Sequence, residues 1–109
     1  MENIYKIVIK ENNLIKTLFH GVNRTRILPI NSWLKADKKI RKDGSNGKEY
    51  LTGFHCFKSK EKAIKFMNRF RTNKNRIIVE CKAKGLRQKP TNQNVFLADE
   101  IYINKEVKI

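Results

Sequence analysis

Residues 59–72, SKEKAIKFMNRFRT, decide the fold class, because only here is the apolar spacing helical rather than alternating. Ala63, Phe66, Met67 and Phe70 fall at i, i+3, i+4 and i+7, one stripe of an α-helix. Lys62, Lys65 and Arg69 take the opposite side. The Ser59 hydroxyl suits an N-cap, accepting an amide proton that the first turn leaves unpaired, and Glu61 lies where the helix dipole favours a carboxylate. The spacing predicts a helix over about 60–72, ended by the NKN of 73–75.

Working outward, the neighbouring segments read as strands. In RIIVECKAKG (76–85), Ile77, Val79, Cys81 and Ala83 alternate with Ile78, Glu80, Lys82 and Lys84. Before the helix, YLTGFHCF (50–57) places Phe54 and Cys56 on one face if extended, and His55 and Phe57 on the other. One pair is expected to join the helix face, the other to lie across the sheet or in a cleft. Gly53 permits a bulge or a close backbone approach. IYKIVIK (4–10), the turn ENN (11–13) and LIKTLFHG (14–21) predict an N-terminal hairpin. Residues 22–31 read as irregular, with Pro29 biasing Leu28 towards an extended conformation. SWLKADKKIRK (32–42) admits two readings: a short helix capped by Ser32, or an edge strand with Trp33 and Leu34 anchored inside. DGSNG (43–47) is a turn and LRQKPTNQN (86–94) a loop, followed by a strand, VFLADEIYI (95–103), with a kink or bulge near Asp99. The order β-β-(α or β)-β-α-β-β predicts one α+β domain over 1–109, an antiparallel or mixed sheet with one main amphipathic helix packed on it. Phe66 and Phe70 are then expected to bury against Val79 and Cys81.

Charge points to the partner. Twenty-five Lys and Arg against ten Asp and Glu leave a net charge of +15 over 109 residues. An A/T-rich coding sequence would enrich lysine, but it would not deplete Asp and Glu. Such an imbalance costs self-repulsion and creates a field that draws polyanions. The expected partner is nucleic acid or a nucleoprotein complex, or else an acidic protein surface. The candidate contacts are Lys62, Lys65, Arg69 and Arg71 on the helix; Lys82, Lys84, Arg87 and Lys89 along the late strand and loop; and Lys38, Lys39, Arg41 and Lys42 before the glycine-rich turn. No apolar run approaches the ~20 residues of a membrane span, and MENIYKIVIKENN does not read as a signal peptide, so the expected location is the cytoplasm. Cys56 and Cys81 read as reduced and partly buried.

The candidates for catalysis are His20, His55 and Glu100. The histidines read first as half-buried residues bonded to backbone, second as acid–base groups or ribose-orienting donors. Metal is not expected: His55 and Cys56 are adjacent, so a strand points them to opposite faces. The usual phosphate loops and nucleophile elbow are absent from the sequence.

Tyr5-Lys6, Leu18–Gly21, Trp33, Gly53–Phe57, Ala63 with Phe66, Val79–Gly85 and Leu97–Ile101 together resemble a pattern found in small accessory proteins of bacteriophages and mobile elements. Added to the charge, that resemblance implies a phage or mobile-element setting for a protein that binds nucleic acid or a host nucleoprotein complex, including as an inhibitor of a host defence or nuclease system, or for a genome-associated virion protein; no cofactor is expected. His20-Gly21 and TGFHCF also resemble parts of the compact ADP-ribosyltransferase fold, which would imply NAD as cofactor and Glu100 as the acceptor-orienting carboxylate. Against that pattern, Phe54 stands where the fold usually has Tyr or Ser.

Overall fold

The computed structural model describes residues 3–17, 26–37, 39–42, 47–69, 75–90 and 92–108. These form ten strands and one helix: β1 (Asn3–Glu11), β2 (Leu14–Thr17), β3 (Trp33–Lys35), β4 (Ile40–Lys42), β5 (Glu49–Leu51), β6 (Phe54–Cys56), α1 (Lys60–Met67), β7 (Arg76–Lys84), β8 (Arg87–Lys89), β9 (Asn92–Ala98) and β10 (Glu100–Val107). Strand accounts for 62% of them and helix for 9%, so the α+β expectation with a main helix is corrected to a mostly β fold. The helix is two turns long. Ser59 caps it as expected, its hydroxyl accepting from the Lys62 amide, but the helix ends at Met67, with Asn68 as its C-cap. The expected helical residue Phe70 lies outside the described residues.

The main sheet is antiparallel, in the order β2-β1-β7-β10-β3. Asn12 and Asn13 turn β1 into β2 with φ of 51° and 65°, values that asparagine tolerates better than most residues. Two long strands leave this sheet together. β7 continues through Gly85 into β8, and β10 is entered from β9 through Asp99, so the paired ribbon β7/β10 becomes the paired ribbon β8/β9. β9 also pairs with β6, and the next residue, Phe57, exchanges both backbone hydrogen bonds with Tyr5 of β1, at 2.7 and 2.8 Å. The circuit β1, β7/β8, β10/β9, β6 thus returns to its start: a small, strongly bent barrel. Bending a sheet back on itself in this way requires corners where strands change direction.

Gly85 and Asp99 make the corner. Gly85 has φ +65°, and a Cβ there would fall 2.3 Å from an Asp99 carboxylate oxygen. The Asp99 carboxylate accepts from Arg87 Nη1 at 2.5 Å. The same guanidinium donates to the carbonyls of Gly85, Leu51 and Thr52, tying the corner to the β5–β6 connection. Gly53 follows in that connection, where an added Cβ would lie 2.8 Å from the Ala98 carbonyl oxygen. The expected kink at Asp99 and close approach at Gly53 are therefore two sides of one structure.

The strands separate two cores. Inside the barrel lie Ile4, Val8, Leu28, Leu34, Phe54, Cys56, Val79, Cys81, Ala98, Ile101 and Ile103. On the outer face, α1 packs Ala63 and Met67, with half-buried Ile64 and Phe66, onto Ile7, Phe57, Ile78 and Val95. The alternation in β6 splits as read: Phe54 and Cys56 face inward, while Phe57 meets Phe66 at 5.2 Å between ring centroids. The helix partners are a correction. Val79 and Cys81 face the barrel interior, so Ile78 receives the helix instead. Trp33 is a second correction: 33–35 is an edge strand that buries Leu34 but leaves Trp33 36% exposed.

Lys6 shares the inward alternation of Ile4 and Val8 and is only 5% exposed. Its ammonium donates to the His55 carbonyl at 2.8 Å and lies 5.6 Å from the Phe54 ring centroid. Burial lowers its pKa, against the opposing influence of Cys56 and Cys81. Burial also pushes both thiols up to about 12, although Lys6 favours their ionised forms.

Candidate nucleic-acid interface

The register across the main sheet places an open row of aromatic and basic side chains beyond the helix. Tyr102 of β10 pairs with Lys82 of β7 on one side and Trp33 of β3 on the other; Lys82 pairs in turn with Asn3 of β1. In the next row Glu100 lies between Lys84 and Lys35. Cross-strand partners share a face, so Trp33, Tyr102, Lys82, Lys84, Lys35 and Glu100 lie on one surface. Ile78 is on the same face of β7, four residues before Lys82, and it is there that α1 covers the sheet. Among the described residues the helix ends short of the Lys82–Tyr102 end, where Trp33, Lys35, Lys82 and Lys84 are exposed and Tyr102 and Glu100 half-exposed.

The side chains on this end touch one another. Trp33 and Tyr102 approach to 5.7 Å between centroids at an interplanar angle of 56°. Lys84 reaches across β10 to place its ammonium 4.1 Å from the Trp33 centroid, and Lys82 sits 5.9 Å from that of Tyr102. Such contacts at exposed sites are worth about 0.5–1 kcal/mol each, weak enough to be exchanged for another partner. A β-bulge between Ile103 and Lys105 ends the pattern. Before it Glu100 and Tyr102 face outward; after it Lys105 and Val107 do, and Val107 packs beside the helix core.

The other sequence candidates scatter. Lys62, Lys65 and Arg69 line an open cleft with Phe57, Phe66, Asn92 and Asn94, and Arg69 lies over the Phe66 ring at 5.6 Å. Its volume of about 130 Å³ is below the roughly 300–1,000 Å³ of small-molecule pockets. Arg87 is engaged in the corner. Lys89 caps the Tyr50 ring at 5.1 Å, and Arg41 pairs opposite Tyr50 in the β4–β5 hairpin, which also carries Lys42, with Lys39 just before it. Lys38 and Arg71 lie outside the described residues, as does His20. His55 lines a space of about 20 Å³ beside Ile7, Phe57, Phe66 and Val95, room for about one water. Glu100 is on the open sheet face and Phe54 is inside the barrel, so these two line no common cleft.

Among the described residues, no group of three or more His, Cys, Asp and Glu could hold a metal, and no helix is long and apolar enough to cross a membrane. Trp33, Tyr102 and Lys35 are the members of this surface that sequence reading missed. Trp33 read either as part of a short helix or as an inside anchor of an edge strand, and Tyr102 as one residue of a strand; the available signal was the lysine alternation of β7 facing them. No family model, curated protein or solved structure matches this chain.

Proposed function

We propose that this chain binds nucleic acid through the open half of its main sheet, as a small basic accessory protein of the bacteriophage or mobile-element kind acting on nucleic acid or a host nucleoprotein complex. The sequence resemblance supports that setting. One observation carries the binding: Lys35, Lys82 and Lys84 surround Trp33 and Tyr102 on a sheet face that no described helix or strand covers, with Glu100 as the one carboxylate in those two rows. The chain's charge of +15 draws a polyanion to the whole surface, and this patch adds flat apolar area to the charge.

The test is a salt series with a labelled oligonucleotide, comparing the native chain with a Lys35→Gln, Lys82→Gln, Lys84→Gln variant. Three phosphate contacts on a single strand contribute about 2 to the slope of log K against log salt, at roughly 0.7 each. The variant should lose that share. Glu100→Gln, which removes a charge repelling phosphate, should tighten binding. Absence of binding to any nucleic acid at about 50 mM salt would refute the reading. A preference for polyglutamate over every oligonucleotide would reassign the face to an acidic protein.

A further inference from the structure

We infer that the nucleic acid held by this face is single-stranded, with its bases stacked on Trp33 and Tyr102. The inference rests on the binding reading above and adds the class of strand. A duplex offers a protein its phosphates and the edges of its bases, while the flat faces are consumed in stacking. Apart from the two end pairs of a duplex, only an unpaired base presents a face to an aromatic ring. A lysine patch serves either form; the exposed Trp33 ring and the half-exposed Tyr102 ring beside it serve the single strand.

Three features of the open half fit that ligand. The rings stand on neighbouring strands, Trp33 on the edge strand β3 and Tyr102 on β10 beside it, 5.7 Å apart, so two successive bases can be served without a groove. Lys84 already covers Trp33 as a cation. A base taking that ring face would displace the ammonium, which sits on a flexible stem and can turn to the adjoining phosphate. The exchange replaces a weak cation–π contact with stacking and an ion pair together. Finally, each ring has a lysine next to it, Lys82 beside Tyr102 in the same row and Lys35 two residues along β3 from Trp33, so a backbone passing over the ring pair meets a positive charge at both rings. Stacking on rings is tolerant of sequence, so little base preference is expected.

Trp33 is the chain's single tryptophan, so its emission reports directly on this site. The probes are a ten-nucleotide thymidine oligomer, the uridine equivalent, and a duplex of the same length. Single strands should quench Trp33 emission and the duplex should not. By anisotropy of labelled oligomers, Trp33→Ala and Tyr102→Leu should each weaken single-strand binding about 5- to 150-fold per base lost. Duplex binding should change less than twofold, and Trp33→Phe should restore most of the single-strand affinity. If Trp33→Ala fails to fold, Tyr102→Leu and the quenching carry the test. Equal affinity for duplex, with both ring variants indistinguishable from native while the lysine variant is weakened, would overturn the single-strand inference and leave the binding reading standing. Failure of all three probes to bind would remove both.

Discussion

Gly85→Ala is the sharpest probe of the architecture, because the barrel depends on its corner. The substitution does two things. It places a Cβ on a residue at φ +65°, a left-handed conformation that costs an L-residue about 1–2 kcal/mol. It also drives that Cβ to 2.3 Å from the Asp99 carboxylate, so the carboxylate must leave. Its departure breaks the 2.5 Å bond from Arg87, and a charge-assisted hydrogen bond contributes about 1.5–3 kcal/mol. Both side chains are 31% exposed, so the lower half of that range applies. The sum is about 3–4 kcal/mol, a large share of the stability of a domain this size. Equilibrium urea unfolding measures it, with the midpoint falling by roughly 1–4 M at the usual slope of about 1–3 kcal/mol/M. An Asp99→Gly background separates the parts: the steric conflict disappears there, and Gly85→Ala should cost only the backbone share of about 1–2 kcal/mol. A cost below about 1 kcal/mol in the native background, or one unchanged by Asp99→Gly, would refute this account of the corner.

The two cores and the buried ionisable groups give further expectations. Met67→Ala removes a buried side chain that joins α1 to Ile7 and Ile78 and should cost about 2–5 kcal/mol by the same urea assay; a loss under about 1 kcal/mol would mean that the helix does not pack there. Lys6 has its pKa lowered by burial, so the unfolded chain binds the extra proton between that lowered value and 10.5. Stability from this group is therefore present above 10.5 and lost as pH falls through the native pKa, and Lys6→Met should raise stability at pH 7 while flattening that part of the pH profile. The opposite sign applies to Cys56 and Cys81, raised from 9.0 to about 12: their contribution is present below pH 9 and lost as pH rises towards 12. Both thiols should resist a disulfide reagent at pH 8 in the native state and react on addition of urea; rapid native reaction would contradict their burial.

Local chemistry reached further into this fold than the fold class did. The alternation of β7, the Asn turn after β1, the Ser59 cap, the kink at Asp99 and the split of Phe54 and Cys56 from Phe57 were all legible, since each depends on neighbours along the chain. The helix was over-read. Phe70 continued its spacing to 72, yet the helix ends at Met67, and a helix this short holds by packing its apolar face rather than by its own propensity. Strands β4, β5 and β8 carry almost no apolar alternation and form because partners reach them: β5 beside β4, β9 beside β8. The candidate surface shows the same division. Charge and the lysines of β7 could be read from the chain itself, because composition and period 2 are properties of sequence. That Trp33 faces outward, touches Tyr102 and stands beside Lys84 was decided by register between strands some 50 to 70 residues apart, and by where a short helix ends. Side-chain period says which residues share a face; only the closed sheet decides which face is covered and which is left to bind.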